Sequence, residues 1–421
     1  MDDYIARGEP LVIAEAFGPW LVDLDGRRYL DGNSSWWVAA LGHRHPRLVA
    51  AAKAQLDTLG HTSLAGVTHA PAALLGRDLV AVAPPGLTRV FFSDDGSTAV
   101  EAAVKIAAQY FAQNGRPEKR RFVALDGAFH GDTVGATSLG GVPIFRRPFA
   151  ALTFDVLHVP APLADEPADA PYGRAFAALA ELLAAQGAEI AAVVIEPIVQ
   201  GAAGMRIYPA AYLRALREAT RRHDVLLIAD EVFTGYGRTG PMWACDHAAI
   251  SPDLLCTAKA FSGGLLPMAA TLATEAIFAG FFGGRSRAFL HGHSFTGNPL
   301  GAAVAREVLA VYRDEGVLAQ VARKAPRLAA LADALRGRPG VTAARSIGLV
   351  AACDLAGGGY LGELGWEVYR AALARGAYLR PLGDTVYLTP PLTIPEAALE
   401  QLCAIVIAAV DEVTARSGAG R

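Results

Sequence analysis

The chain has 421 residues, of which 52% are hydrophobic and 19% are charged, so it can bury a sizeable core and is not predicted to be disordered. A net charge of −3 argues against nucleic-acid binding, which usually needs a basic face. The four cysteines form no C-x-x-C pair, the ten histidines show no metal-ligand spacing, and no uncharged apolar run reaches the ~18 residues of a membrane span. The composition predicts a cytoplasmic protein that binds neither a membrane nor a metal.

The N-terminal region begins with a predicted hairpin at residues 11–30, where an alternating run is interrupted by an Asp-Gly turn. A polar loop that ends in adjacent Trp36 and Trp37 follows the hairpin. Helical spacing then extends from Pro46 to about Leu59.

From residue 88 onwards, apolar runs alternate with segments of helical spacing. The runs are Val90–Phe92, Phe122–Leu125, Val156–Val159, Ile190–Ile195, Val225–Ala229, Leu254–Thr257 and Ala269–Thr271. The helical segments are at about 97–113, 174–186 and 209–223. This alternation predicts a mostly parallel seven-stranded sheet that is covered by helices on both faces.

After residue 312 the order of elements changes, which predicts an α+β domain. Helices are expected at about 317–336, 363–375 and from 396, with strands at Val341–Arg345, Leu349–Asp354, Tyr378–Arg380 and Val386–Leu388. We therefore expect residues 49–311 to form a large domain, and residues 1–48 and 312–421 to form a small one. Residues 160–173, rich in Pro, Ala and Asp, are predicted to be a surface loop.

Two of the predicted strands are followed by a charged residue. Asp230 comes directly after Val225–Ala229, and Lys259 comes one alanine after Leu254–Thr257. Ligands bind at the carboxyl ends of parallel strands, and a buried charge there needs a partner. Because a carboxylate can pair with a pyridinium nitrogen and an amine can form a Schiff base, the two residues indicate a pyridoxal phosphate site. An ion pair between Asp230 and Arg238, and a solvated lysine, are the simpler interpretations.

A junction between a predicted strand and a helix has the features of a phosphate site. Gly96, Ser97 and Thr98 follow two aspartates there. Gly96 lets a ligand approach the backbone closely, and Ser97 offers a hydroxyl and an N–H at a helix N-terminus, where the dipole favours an anion. An ordinary helix N-cap is the alternative interpretation.

Three further segments offer groups that suit a cofactor or a substrate. Phe129–Thr133 follows a strand at the same sheet edge, and an aromatic ring there can stack on a flat cofactor. The glycine-punctuated segment His291–Pro299 suits an anion contact. Arg380, at a predicted strand end, is a candidate clamp for a carboxylate. The simpler interpretations are a core phenylalanine, a turn before a helix and a surface arginine.

Together these segments resemble the class III, or ω-type, aminotransferases, which are fold-type I pyridoxal phosphate enzymes. The resemblance covers nearly the whole chain. Its motifs are Asp230–Gly240, Lys259 with Gly263 and Gly264, Phe129–Thr133 and His291–Pro299. It implies an α/β fold with a large pyridoxal phosphate-binding domain and a small α+β domain, in a homodimer whose subunits share the active site.

The resemblance also implies roles for individual residues. Lys259 is expected to bind the cofactor covalently and move the proton, and Asp230 to keep the ring nitrogen protonated. The implied cofactor-binding residues are Gly96, Ser97, Phe129, His130, Asp230 and Lys259, with His293 and Ser294 reaching the cofactor from the partner subunit. The implied substrate-binding residues are Trp36, Trp37, Phe129, Lys259, Gly292, Arg380 and Tyr387. Asp132 is expected to be a further contact, Arg380 to hold the substrate carboxylate, and Glu196 has no assigned role.

Within the class, three segments resemble the aminotransferases of biotin biosynthesis. They are Ser34–Trp37, Ile195–Gly201 and Arg380–Pro391. The implied reaction is the amination of 8-amino-7-oxononanoate to 7,8-diaminononanoate, with S-adenosylmethionine or lysine as the amino donor.

The sequence leaves the donor open between these two. Phe129 stands where the family usually has Tyr, and the family's upstream His-Pro-Tyr or Leu-Pro-Phe segment is not found in residues 1–16. Both departures remove polar groups from the donor side. The adjacent tryptophans favour S-adenosylmethionine because an aromatic wall attracts a sulfonium. Gly263–Pro267 and His291–Ser294 instead resemble members of the class that use lysine.

Two other functions remain open from the sequence. One is a general ω-amino-acid:pyruvate transaminase of the same class, which the pairing of Trp36 and Trp37 with Arg380 argues against. The other is a non-catalytic nucleotide-binding protein with a doubly wound sheet, which would hold no coloured cofactor and would not depend on Lys259.

Overall fold

The computed structural model describes residues 10–162 and 173–419. The strands in this part of the chain are β1 (Ile13–Phe17), β2 (Trp20–Asp23), β3 (Arg28–Asp31), β4 (Leu87–Ser93), β5 (Arg121–Leu125), β6 (Val156–Val159), β7 (Ile190–Ile195), β8 (Val199–Gln200), β9 (Arg206–Ile207), β10 (Leu226–Asp230), β11 (Leu254–Thr257), β12 (Ala269–Thr274), β13 (Val341–Ile347), β14 (Val350–Leu355), β15 (Ala377–Tyr378) and β16 (Thr385–Leu388). Each apolar run between residues 90 and 271 that predicts a strand forms one.

The helices are α1 (Pro46–Leu56), α2 (Ala70–Val82), α3 (Gly96–Gln113), α4 (Val134–Leu139), α5 (Gly173–Gln186), α6 (Ala210–Arg222), α7 (Glu275–Ala279), α8 (Pro299–Asp314), α9 (Val317–Leu335), α10 (Leu364–Leu373) and α11 (Glu396–Ala419). The segments with predicted helical spacing form α1, α3, α5, α6, α9, α10 and α11, whereas α2, α4 and α7 are not predicted from the sequence. Single turns of helix lie at Ser34–Trp37, Pro143–Arg146, Arg147–Leu152, Ala244–Ala248, Lys259–Ser262, Arg285–Arg287 and Gly359–Leu361.

A seven-stranded sheet in the order β4-β12-β11-β10-β7-β5-β6 occupies the centre of the molecule. The pairs among β6, β5, β7, β10 and β11 are parallel, whereas β12 runs antiparallel to both of its neighbours. All residues of β7 and β11 are buried, as expected for strands covered on both faces. The predicted fold, a mostly parallel α/β sheet of seven strands, is confirmed.

A smaller sheet joins an N-terminal and a C-terminal part of the chain. The predicted N-terminal hairpin is an antiparallel meander, β1-β2-β3, and β3 pairs in parallel with β15. Strands β13, β14 and β16 form a separate antiparallel sheet. The domain boundaries at residues 48 and 311 remain a prediction, and the pairing of β3 with β15 supports grouping the N-terminal strands with the C-terminal unit.

Two further expectations concern segments outside the sheets. Most of the predicted surface loop at 160–173 lies outside the described residues. In residues 10–162 and 173–419, no helix is both long enough and apolar enough to cross a membrane.

Candidate active site

Asp230, the last residue of β10, lies almost completely buried at the carboxyl edge of the central sheet, with 4% of its surface exposed. Its Oδ2 atom is 2.7 Å from Nδ1 of His130, and its Oδ1 accepts a hydrogen bond from the Val232 N–H. Burial alone would lower the pKa of His130, but the hydrogen bond and the charge of Asp230 outweigh it and raise that pKa. His130 therefore serves as the cationic partner that a buried carboxylate needs.

Arg238 does not form the ion pair with Asp230 that the sequence left open. Its guanidinium is buried and donates to the carbonyl oxygens of Leu349 and Pro390 at 3.1 and 2.8 Å. It also lies 3.5 Å from the Ser34 hydroxyl. The sequence offers no signal for these partners because all of them are distant in the chain, and two are backbone groups.

Lys259 follows β11 and reaches the same sheet edge as Asp230. Asp230 is paired with Cys256 in the register of β10 and β11, so Lys259 lies three residues beyond the neighbour of Asp230. Its Nζ atom is 5.0 Å from the centre of the Trp37 ring. Burial lowers the pKa of Lys259, and the charges of Asp230, Glu196 and Asp132 oppose this effect without cancelling it. The amine is therefore more nucleophilic than an ordinary lysine at neutral pH.

A cavity of about 470 Å³ opens at this edge of the sheet. The residues from the sequence analysis that line it are Trp36, Trp37, Gly96, Ser97, Phe129, His130, Asp132, Glu196, Asp230 and Lys259. Further lining residues, among them Ala202, Val232, Phe233, Leu265 and Met268, have no individual role predicted from the sequence. These are small or apolar side chains in loops, and their sequence pattern does not distinguish a cavity wall from a core.

The first turn of α3 forms one end of the cavity. Asp95 is the N-cap residue: its carboxylate accepts from the Thr98 N–H at 2.9 Å, and the Thr98 hydroxyl accepts from the Asp95 N–H at 3.0 Å. The ordinary N-cap is therefore present, and it is formed by Asp95 and Thr98 rather than by Gly96 and Ser97. In the described part of the chain, the N–H groups of Gly96 and Ser97 donate to no protein acceptor and remain available to an anion.

Close packing requires glycine at two positions around this end of the cavity. A Cβ at Gly96 would lie 2.7 Å from Val232, and at Gly131 (φ +126°) it would overlap the Ser97 hydroxyl. The turn at Gly131 also lets the Asp132 N–H donate to the Ser97 hydroxyl at 3.2 Å. The loop that carries Phe129 and His130 is thereby fixed next to the start of α3.

Glu196, to which the sequence assigns no role, anchors the same loop from the other side. One carboxylate oxygen accepts from the Phe129 N–H at 3.1 Å and the other from the Gly201 N–H at 2.8 Å. Burial raises the pKa of Glu196 to about 7, although the nearby His130 acts in the opposite direction. Glu196 thus holds the Phe129 backbone at the cavity wall.

Trp36 and Trp37 lie on a left-handed turn. Ser34, Ser35, Trp36 and Trp37 have φ values of 48°, 44°, 64° and 73°, a conformation that costs roughly 1–2 kcal/mol per residue outside glycine. The Ser34 hydroxyl donates to the Thr389 carbonyl at 2.7 Å. No residue type in this segment signals such a turn, so it is not predictable from the sequence.

Asn33 ties this turn to two of the expected substrate contacts. Its side-chain amide donates to the carbonyl of Tyr387 at 3.2 Å, and its side-chain oxygen accepts from the Arg380 N–H at 2.6 Å. Asn33 is 1% exposed, so these bonds are shielded from water. Because the second bond is to the Arg380 N–H, it fixes the backbone position from which the Arg380 side chain extends.

Arg380 and Tyr387 lie beside the cavity rather than on its wall. The guanidinium carbon of Arg380 is 4.5 Å from the centre of the Trp36 ring, and within the described residues it has no carboxylate partner. Tyr387 is 3% exposed and its ring lies 6.2 Å from that of Trp37. A substrate contact by Tyr387 remains a prediction.

Gly292, His293 and Ser294 are exposed and do not line the cavity of this single chain. The Nδ1 atom of His293 is 2.8 Å from the carboxylate of Asp94, which lines the cavity next to the start of α3. The segment therefore lies near the cavity and faces outwards. In the described residues, no group of His, Cys, Asp and Glu side chains is arranged to hold a metal ion.

The model of the family "Aminotransferase class-III" matches residues 4–410. The chain belongs to the class III aminotransferases. It is 44% identical to the adenosylmethionine-8-amino-7-oxononanoate aminotransferase of Synechococcus elongatus, over 96% of both chains. The crystal structure of the enzyme of that name from Methanocaldococcus jannaschii superposes with a TM-score of 0.93 at 33% identity, covering 98% of this chain and 95% of the other. An amine transaminase from an uncultivated Pseudomonas species, in its PLP-bound form, gives 0.91 at 33% identity, covering 98% and 96%.

Class III aminotransferases depend on pyridoxal phosphate, and the cavity of this member of the class fits that group. His130 lines the cavity, and its buried Nε2 atom has no partner in the described residues, so this nitrogen is an unused hydrogen-bonding group at the site. The unpaired N–H groups at the start of α3 suit a phosphate. A lysine with a lowered pKa and a buried carboxylate complete the set of groups that the cofactor requires.

The lowered pKa of Lys259 gives a testable prediction for the cofactor-free protein. In competitive labelling with acetic anhydride over a pH series, followed by mass spectrometry, we expect Lys259 to become reactive at lower pH than exposed Lys53. The reason is that burial disfavours its charged form, so the neutral amine appears earlier as pH rises. A labelling midpoint for Lys259 at or above that of Lys53 would contradict this effect of burial.

Proposed function

We propose that this aminotransferase converts 8-amino-7-oxononanoate to 7,8-diaminononanoate in biotin biosynthesis. The observation that carries the proposal is the guanidinium of Arg380, which stacks on Trp36 and is unpaired in the described part of the chain. Trp36 also lines the cavity that contains Lys259 and Asp230. A long acceptor with its ketone near Lys259 and a remote carboxylate near Arg380 suits this arrangement. The names of the relatives support the same reaction.

The residues of the chain divide the work of binding and proton transfer. Gly96 and Ser97 would hold the phosphate of bound pyridoxal phosphate, Phe129 would pack against its ring, and Asp230 would keep its ring nitrogen protonated. Pyridoxal phosphate, when bound, withdraws electrons from the carbon that carries the amine and makes its proton acidic. Lys259 takes that proton as a base and returns it, because its Nζ atom is the nearby amine with a lowered pKa.

His130 and Glu196 act through the residues that they hold. His130 fixes the carboxylate of Asp230 and stabilises its charge at 2.7 Å. Glu196 fixes the backbone of Phe129. Neither needs to exchange a proton with the substrate.

A general amine transaminase of the same class is the second candidate function. The similarity to the Pseudomonas amine transaminase favours it, since the TM-scores for the two neighbouring structures differ little. The two functions differ in the acceptor: 8-amino-7-oxononanoate carries a carboxylate distant from its ketone, whereas pyruvate does not. The guanidinium of Arg380, which has no carboxylate partner among residues 10–162 and 173–419, favours the longer acceptor.

The amino donor in this proposal is S-adenosylmethionine, with lysine as the alternative. Trp36 is 59% exposed and presents an aromatic face near the open side of the cavity. A sulfonium over such a face gains ~0.5–2 kcal/mol from cation–π attraction. Phe129 has no hydroxyl that could contact the amino donor, and this observation favours lysine.

We further propose a homodimer in which the partner's His293 and Ser294 complete the phosphate end of the site. In the described chain this segment is exposed, and apolar Leu290 and Phe295 beside it are 86% and 60% exposed. Apolar side chains that are so accessible next to a cofactor site suit a covered interface. Analytical ultracentrifugation of active enzyme is expected to give a dimer, and an active monomer at assay concentrations would refute the shared site.

The cytoplasm is the compartment that we propose for this enzyme. Cys245, Cys256, Cys353 and Cys403 are all buried and unpaired, which suits a reducing environment.

The role of Lys259 can be tested with the variants Lys259→Ala and Lys53→Ala. We expect Lys259→Ala to retain the cofactor through its phosphate and ring contacts but to lose turnover of 8-amino-7-oxononanoate almost completely, because Lys259 is the one amine among the described residues that line the cavity. Lys53→Ala, at an exposed position on helix α1, is expected to keep full activity. Cofactor content by absorbance and product formation by mass spectrometry are the measurements. More than a few per cent of residual turnover in Lys259→Ala would show that the assignment is wrong.

The donor can be identified in a single half-reaction. The cofactor-loaded enzyme is mixed separately with S-adenosylmethionine and with lysine, and the visible absorbance of the cofactor aldehyde is followed. We expect S-adenosylmethionine to abolish this absorbance. If lysine does so and S-adenosylmethionine does not, the donor proposal fails while the acceptor proposal stands.

A further inference from the structure

A line of aromatic rings leads from the cavity wall to Tyr360. The ring of Phe129, which lines the cavity, packs edge-on against Phe145 with 5.4 Å between ring centres. Phe145 in turn packs at 89° against Tyr360, again with 5.4 Å between centres. Neither phenylalanine carries a hydroxyl, so Tyr360 is the hydrogen-bond donor of this line.

The backbone of Tyr360 is fixed next to the segment that carries Arg380. Gly383, three residues after Arg380, has a φ of +58°, and the backbone of Tyr360 leaves no room for a Cβ there. Asp384 is 2% exposed and accepts from the Gly359 N–H at 3.0 Å and from the Leu364 N–H at 2.9 Å. The Asp384 N–H donates to the Gly359 carbonyl at 2.9 Å. These bonds on either side of Tyr360 hold it at a set position relative to Arg380.

Tyr360 and Arg380 both have unused donors. In the part of the chain that the structure describes, neither the Tyr360 hydroxyl nor the Arg380 guanidinium makes a hydrogen bond to another side chain or to the backbone. Burial raises the pKa of Tyr360 to about 12, with Arg380 lowering it and Asp132 raising it. The phenol is therefore protonated at neutral pH, and it interacts electrostatically with both Arg380 and Asp132.

We propose that the Tyr360 hydroxyl donates a hydrogen bond to the acceptor's carboxylate beside the guanidinium of Arg380, and so helps to select an acceptor with a remote acid group. This inference rests on the proposed function. Arg380, stacked on Trp36, supplies the charge, and Tyr360, packed against Phe145, supplies a directed hydrogen-bond donor. A phenol whose ring packs edge-on against another aromatic ring loses little conformational freedom when it binds, which suits selection by geometry.

The test compares Tyr360→Phe with wild-type enzyme and with Tyr110→Phe, a control on α3. For 8-amino-7-oxononanoate, we expect Tyr360→Phe to raise KM about tenfold with kcat little changed, the effect of losing one hydrogen bond to a charged group. Its reaction with the amino donor alone is expected to equal that of wild type, because the donor half-reaction does not involve the acceptor's carboxylate. Tyr110→Phe is expected to leave all three quantities unchanged.

The methyl ester of the acceptor provides the second arm of the experiment. We expect esterification to raise KM strongly in wild type, and Tyr360→Phe to raise KM for the ester by less than twofold, since the hydroxyl then has no anionic partner to lose. An unchanged KM for the acid in Tyr360→Phe, or an equal effect on acid and ester, would overturn the role of Tyr360. Wild-type enzyme that does not turn over the acid would overturn the proposed function as well, and the two failures are thereby distinguished.

Discussion

The burial of Asp230 is the constraint on which the arrangement of the site depends. A carboxylate at the end of a core strand is stable only if neighbouring groups replace the water that it has lost, and His130 and the Val232 N–H do so. His130 must therefore come to the end of β10 from the loop after β5. That loop is in turn held by Ser97 and Glu196. The positions of several cavity-lining residues therefore depend on the buried charge of Asp230.

The second buried carboxylate, Glu196, makes this arrangement more than a simple ion pair. His130 interacts electrostatically with both Asp230 and Glu196, and burial raises the pKa of Glu196 to about 7. Two carboxylates around one imidazolium repel each other, and the charge of Asp230 therefore adds to burial in raising the pKa of Glu196.

The sequence predicts the fold and the positions of Asp230 and Lys259 well because both follow from local patterns. Apolar runs of strand length mark the seven strands, and the shared direction of parallel strands places Asp230 and Lys259 at one edge. The partners of Arg238 and the position of Arg380 over Trp36 depend on contacts between residues more than a hundred positions apart. No local pattern reports these contacts. The same is true of the left-handed turn at Ser34–Trp37, which its own residue types oppose.

The left-handed turn at Ser34–Trp37 has a consequence for the order in which parts of the protein fold during synthesis. The contacts that hold it join Asn33 and Ser34 to Tyr387 and Thr389, across 354 and 355 positions of the chain. A ribosome delivers the N-terminal residues first, and an unfavourable backbone conformation does not persist without the groups that stabilise it. Trp36 and Trp37 therefore reach their final positions only after residues 387–389 have been synthesised. The strands of the central sheet, the last of which ends at Thr274, leave the ribosome earlier, so the sheet can form before this part of the cavity wall.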